Sequence, residues 1–260
     1  MKFKINIIMS AKLEQLKVSI LADGVIDAEE VITIKNAVYE DGKIDREEAD
    51  FMFELNDAVS GKENHYSWKD MFVKAITDHL LKDDTSYGSV DDEEADYLIG
   101  KIQGDGKIDE IEQALLLKII EKATDTCDKF QDFVLASFKN VILEDGVIDE
   151  AEVKTIKSII YGAGGASGAK VDVKEAEWLF EINDAVSGKA NHASWQALMV
   201  EAISKYVLED ETSPNEVDDT EAEWLIAKIM KDGSMDDVEK AILANIKAKA
   251  TKLSTNLQAI

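Results

Sequence analysis

"ILADGVIDAEEV", Ile20 to Val31, is the stretch that decides how this chain folds. It holds an Asp-Gly pair, then Ile26, then Asp27 and Glu30 spaced three apart. Gly suits the left-handed residue that ends a helix. An Asp followed three residues later by Glu is a helix N-cap with its reciprocal partner at N3, and both acids favour the positive end of the helix. The stretch therefore reads as the turn between two helices, with Ile26 as an apolar plug beside it. Relatives stand at "EDGKID" from Glu40, "GDGKID" from Gly104, "LEDGVID" from Leu143 and "KDGSMD" from Lys231. Looser ones are "YGSVDDEE" from Tyr87, "GAKVDVKE" from Gly168 and "NEVDDTE" from Asn215. Each carries an Asp-x-x-Glu pair: Asp27/Glu30, Asp45/Glu48, Asp91/Glu94, Asp109/Glu112, Asp149/Glu152, Asp172/Glu175, Asp218/Glu221 and Asp236/Glu239. Losing one such cap is expected to cost about 1 kcal/mol.

Eight similar turns call for a search for internal repeats. "MFELNDAVSGKENHYSW" from Met52 returns as "LFEINDAVSGKANHASW" from Leu179, 127 residues on. Asp91 and Glu94 return at the same offset as Asp218 and Glu221, whereas Asp23 returns as Asp145, 122 residues on. The Gly-rich "GAGGASGAK" at Gly162 to Lys170 accounts for the difference. The chain is expected to be a tandem duplication: an extension at 1–9, repeats at 10–123 and 124–250, and a tail at 251–260. Trp68, Phe72, Ile76 and Leu80 fall on one helical face, as do Ile108, Ile111, Leu115 and Ile119. No segment alternates as a strand would. The expected fold is all-α, with about six helices per repeat and short Asp-Gly links between antiparallel neighbours.

Composition narrows the function. The 260 residues are 45% apolar, as in a soluble globular protein, and carry 54 acidic against 29 basic residues, a net charge of -25. Such a surface repels phosphate backbones and anionic membranes and attracts cations. Nucleic-acid binding and direct membrane insertion are not expected. Cys127 is the single cysteine, so no disulfide forms within the chain and a cytoplasmic setting is expected. The opening "MKFKINIIMS" is too short for a signal peptide. No H-E-x-x-H or G-x-S-x-G occurs, and "GAGGASGAK" matches neither a P-loop nor a dinucleotide fingerprint. The reading is non-enzymatic.

A calcium loop of twelve residues supplies oxygens at positions 1, 3, 5, 7, 9 and 12, with Gly at 6. Aligning Gly24 at position 6 gives Asp23, Asp27 and Glu30 at 5, 9 and 12, with Ser19 and Leu21 at 1 and 3. Asp145, Asp149 and Glu152 repeat this, with Val141 and Leu143 at 1 and 3. These are half-loops. The third unit of each repeat is fuller. "DDTSYGSVDDEE" gives Asp83, Thr85, the Ser89 carbonyl, Asp91 and Glu94 at 1, 3, 7, 9 and 12. "DETSPNEVDDTE" gives Asp210, Thr212, Asp218 and Glu221 at 1, 3, 9 and 12. Oxygen-only donors suit Ca²⁺ first and Mg²⁺ second. The competing expectation is a metal-free helical scaffold that binds another protein.

The "ADGxIDxxE" turns, carried by Asp23, Asp27 and Glu30 and by Asp145, Asp149 and Glu152, resemble those of the tellurite-resistance TerB-like family. The same turns are similar to those of EF-hand proteins. The TerB-like resemblance implies an all-helical, acidic, intracellular protein whose acidic residues bind divalent cations. It also implies association with stress or membrane-linked complexes, through a protein partner, rather than catalysis.

The near-identical "NDAVSGK-NH-SW" segment has its own reading. Gly61 and Gly188 end a helix, Asn64 or Ser67 caps the next one, and Trp68 and Trp195 anchor the core. The sharper alternative is a ligand site where Asp57, Asn64 and His65 converge.

Overall fold

The computed structural model describes residues 12–83, 86–103, 108–162, 170–209 and 214–260. Thr85, Asp105, Gly106, Asp210, Thr212 and Gly168 lie outside them. The protein is mostly helical and divides into two compact units, Met1–Phe133 and Val134–Ile260. Unit one runs through α1 (12–20), α2 (Ala28–Val38), α3 (Arg46–Val59), α4 (Ser67–Leu81), β1 (Ser89–Val90), α5 (Asp92–Ile102), α6 (Glu110–Lys122) and β2 (Asp125–Thr126). The division falls within α7 (Asp128–Ile142). Unit two continues through α8 (Glu150–Gly162), α9 (Val173–Val186), α10 (Ala193–Leu208), β3 (Glu216–Val217), α11 (Asp219–Ile229), α12 (Asp237–Lys249), β4 (Lys252–Leu253) and α13 (Thr255–Gln258). No helix among the described residues is long and apolar enough to cross a membrane.

Eight helices, α2, α3, α5, α6, α8, α9, α11 and α12, start at an Asp-x-x-Glu pair. At all eight pairs the Asp carboxylate accepts the N3 backbone N–H, and the Glu carboxylate accepts the N-cap N–H in return. Four Asp-Gly turns share one geometry. Gly24, Gly42, Gly146 and Gly233 sit at φ between 76° and 89°, where a Cβ is strained. The Asp before each accepts the N–H two residues on, at Val25, Lys43, Val147 and Ser234. Ile26, Ile44 and Ile148 follow and are buried. The turn thus reverses the chain, caps the next helix and contributes a core side chain within seven residues.

Packing centres on one helix in each unit. α4 packs against α2, α3 and α6, and α10 packs against α8, α9 and α12. Trp68, Phe72, Ile76 and Leu80 on α4 are all buried, as the periodicity requires. On α6 the stripe is shifted: Ile108 and Ile111 are half-buried, and Leu115, Leu116, Ile119 and Ile120 carry the buried face. Burying each large apolar side chain contributes about 2 kcal/mol. Phe53 meets Phe72 edge-on at 5.3 Å and Tyr97 at 6.1 Å.

Two short ladders depart from the strand-free expectation. β1 pairs with β2, and β3 with β4, both parallel and two residues long. Neither pair is long enough to show alternation in sequence.

Candidate cation site

The segment shared by the two units is a set of hydrogen-bonded struts. Asn64 accepts the Ile26 N–H at 2.9 Å and donates to the Val59 carbonyl at 2.9 Å. Asn191 does the same with Ile148 and Val186, both at 2.9 Å. The N–H groups of His65 and His192 donate to the Ile26 and Ile148 carbonyls at 2.7 Å. Buried Asn56 and Asn183 accept from the indoles of Trp68 and Trp195. Ser60 and Ser187 donate to Asp109 and Asp236, the N-caps of α6 and α12. Each conserved-looking polar residue therefore ties one Asp-Gly turn, one helix end or one N-cap to the next. Asp57 is exposed on α3, and both ends of the Asn64 amide are committed to backbone.

The cap of α4 differs from expectation. Neither Asn64 nor Ser67 supplies it. The His65 and His192 rings take the backbone N–H of Ser67 and Ser194 at 3.4 and 3.3 Å, and their Nδ1 atoms meet the Ser hydroxyls at 2.8 and 2.7 Å. A ring nitrogen replaces the usual carbonyl or hydroxyl cap, a substitution no residue preference would reveal.

The first turns place their acids on backbone donors. Asp23 accepts from Val25, Asp27 from Glu29 and Glu30, and Glu30 from Asp27. Asp145, Asp149 and Glu152 repeat the pattern. Burial, with Asp149 and Asp145 nearby, raises the Glu152 pKa. No acid faces these turns from positions 1 and 3.

The loop before α5 is different. Asp83 Oδ1 accepts from the Ser86 N–H at 2.9 Å and from its hydroxyl at 3.0 Å. Ser86 also lies beside the Glu94 carboxylate and favours its charged form. Asp91 caps α5 and receives Glu94 in return at 3.1 Å. Burial, then the charges of Asp83 and Asp91, raise the Glu94 pKa. The expected ligands are thus linked in pairs: Asp91 with Glu94 through the cap, and Asp83 with Glu94 through the charge that Asp83 bears on it. Gly88 adopts φ 85° at the position where a calcium loop needs its sharp turn. Tyr87 is 77% exposed.

The flanking ladder orients the loop backbone. Thr124 donates its N–H and its hydroxyl to the Gly88 carbonyl at 2.6 and 2.9 Å, and the Cys127 N–H donates to the Val90 carbonyl at 2.9 Å. Successive groups along a strand point to opposite sides. With the carbonyls of residues 88 and 90 turned to β2, that of Ser89 is turned away from it. In unit two, Asn215 stands in place of Gly88 at φ 60°, a region Asn tolerates. Asp218 and Glu221 form the same box at 2.9 Å in both directions.

Among the described residues, no three His, Cys, Asp or Glu side chains form a ready-made metal-holding group. Asp83, Asp91 and Glu94 are neighbours held on backbone and hydroxyl donors. Their chemistry, carboxylate oxygen with a backbone carbonyl and hydroxyls alongside, fits a hard divalent cation rather than a transition metal. Searches against protein families, curated proteins and solved structures found no match for this chain.

Proposed function

We propose that this is a non-enzymatic, acidic protein of the cytoplasm that binds divalent cations, Ca²⁺ before Mg²⁺, through the loop from Asp83 to Glu94. Asp83, Thr85, the Ser89 carbonyl, Asp91 and Glu94 are its ligands, and Asp210, Thr212, Asp218 and Glu221 serve the second loop. The observation that carries the reading is geometric: Asp83 Oδ1 holds the Ser86 N–H and hydroxyl at the loop start, Asp91 caps α5 at its end, and the half-buried Glu94 returns to the Asp91 N–H, so that a cation would meet acids from both ends of the loop. The net charge of -25 favours any cation that arrives. The two units descend from a tandem duplication, so the two loops are one device used twice. The TerB-like resemblance is the ground for adding a stress- or tellurite-related role to this reading.

The test is a thermal melt in EDTA, then in Ca²⁺ or Mg²⁺, with calorimetric titration alongside. A cation at 100 times its dissociation constant adds about 2.7 kcal/mol per site. Asp83→Asn and Glu94→Gln each remove part of the Ca²⁺ effect. Equal small rises with both ions and no titration heat would sink the proposal.

A second reading, a metal-free scaffold for another protein, rests on the eight capping boxes. Every Asp-x-x-Glu pair has a full structural use without a cation. Chelator-independent stability favours it.

A further inference from the structure

The loop from Asp83 to Glu94 does not stand alone: a strap lies directly on its backbone. Residues Thr124 to Cys127 run beside β1, with Ser89 paired to Asp125 and Val90 to Thr126. Three donors from the strap, two of them from Thr124, end on the carbonyls of Gly88 and Val90. The approach at residue 88 is close. A Cβ there would stand 3.3 Å from the Thr124 hydroxyl oxygen. The strap then enters α7, where Phe130 is buried and Lys129 pairs with Asp96 of α5 at 2.8 Å. α5 is the helix that Asp91 and Glu94 begin. The strap therefore grips the loop at its middle and the following helix at its side.

Unit two repeats the backbone contacts of the strap, with Asn215 in place of Gly88. The N–H and hydroxyl of Thr251 donate to the Asn215 carbonyl at 2.7 and 2.9 Å, and Ser254 donates its N–H to the Val217 carbonyl at 2.9 Å. The Ser254 hydroxyl bonds Asp219 at 2.7 Å, and α13 buries Leu257 completely. A contact kept with the same donors, on the same loop positions, in both units is a built feature of the unit.

We propose that the strap is the element through which cation binding at the loop is read out by the rest of the unit. The proposal rests on the cation reading above. The carbonyls at 88 and 90 belong to the strap, whereas that at 89 is left on the other side of the strand. A cation drawing in the Ser89 carbonyl with Asp83, Asp91 and Glu94 moves β1 as a piece, and the strap must follow or let go. Coupling is reciprocal: a strap that tightens on binding also raises affinity.

The experiment uses the full chain, with Ca²⁺ as the probe. Titration calorimetry fixes the saturating concentration. NMR-detected amide exchange is then read with EDTA and with Ca²⁺. The Thr124 and Cys127 amides are expected to slow by about tenfold or more, within the usual range of coupled sites. The Asn64 and His65 amides, in the struts at the other turn, are expected to hold their rates. Thr124→Val keeps every candidate ligand but removes the hydroxyl donor; Ca²⁺ affinity is expected to fall several-fold and the slowing at Cys127 to shrink. Binding heat with unchanged exchange at Thr124 and Cys127 would overturn the coupling and leave the cation reading standing. An absence of both heat and exchange response overturns the two together.

Discussion

Acidification from pH 8 to pH 5.5 is expected to stabilise this protein, and Glu48 and Glu239 are the cause. Both are buried, 4% and 6% exposed, and burial lifts each carboxyl from 4.5 to about 7. Neighbouring acids, Asp45 and Asp41 in one case and Asp236, Asp184 and Asp232 in the other, push the same way. A folded pKa above the unfolded one means that the folded state holds the proton more tightly. Each group therefore contributes its full stability below pH 4.5 and loses it as pH rises through 7. Between pH 5.5 and pH 8 the difference is about 2 kcal/mol for each carboxyl. Glu48 lies in unit one and Glu239 in unit two, so both unfolding transitions shift, each by about 6–10 °C. Differential scanning calorimetry in EDTA at about 0.15 M salt, where the general self-repulsion of the surface is screened, reads the effect. Glu48→Gln and Glu239→Gln keep an oxygen for the Asp45 and Asp236 N–H groups but cannot ionise. Each variant is expected to be more stable than the parent at pH 8 and to flatten the pH dependence of its own unit. Stability that falls on acidification across this window refutes the reasoning, as does a slope that survives in the double variant.

Other perturbations follow from the struts and their differences. Asn64→Ala and Asn191→Ala each remove two side-chain bonds to backbone and strand the Ile26 or Ile148 N–H; urea unfolding should show losses of about 2–3 kcal/mol. Tyr39 donates to Asp78 at 2.9 Å, whereas the buried Tyr161 hydroxyl at the equivalent place has no partner. Tyr39→Phe is therefore expected to cost about 1–1.5 kcal/mol and Tyr161→Phe to be neutral or stabilising, by the same assay. Leu257→Ala in α13 is expected to cost about 2–4 kcal/mol and to lower the second transition only, as read by calorimetry.

What the sequence discloses here follows the range of each interaction. A capping box spans three residues, so the Asp-x-x-Glu spacing announces it directly, and eight of the helices begin where such pairs stand, whereas α4, α7 and α10 begin without one. The apolar stripe of α4 is equally local. The Asn64 bond to Ile26 spans 38 residues and the Thr124 bond to Gly88 spans 36, and neither leaves a periodic mark. Only the return of the Asn64 segment in the second unit hints at the first of them. The α6 stripe moved for a related reason. Ile108 stands before the N-cap and Ile111 in the first turn, where the capping geometry, not the helical face, aims the side chain. The Tyr161 hydroxyl shows the limit from the other direction. Lys74 and Asp78 of unit one stand where unit two has Glu201 and Lys205, so the ion pair survives the exchange of signs. The tyrosine, which needs an acceptor at the second position, does not keep its bond.

The same distinction sorts the eight acidic turns. Glu48, Glu112, Glu175 and Glu239, at the second and fourth turns, are buried, between 3% and 7% exposed. For Glu48 and Glu239 that shelter raises the cost of the charge, and all four carboxylates accept the N-cap N–H. Those turns are capping devices, and a cation would have to open the core to reach them. Glu30, Glu94, Glu152 and Glu221, at the first and third turns, are only half-buried. Access alone does not make a site, because the first turns face Leu21 and Leu143 where an acid is needed. At the third turn of unit one the half-buried Glu94 and an opposing Asp83 occur together, and there alone among the described turns does a carboxylate from the loop start bear on the Glu. The repeat supplies the cap eight times, and one added acid at the start of a longer loop turns a cap into a candidate site.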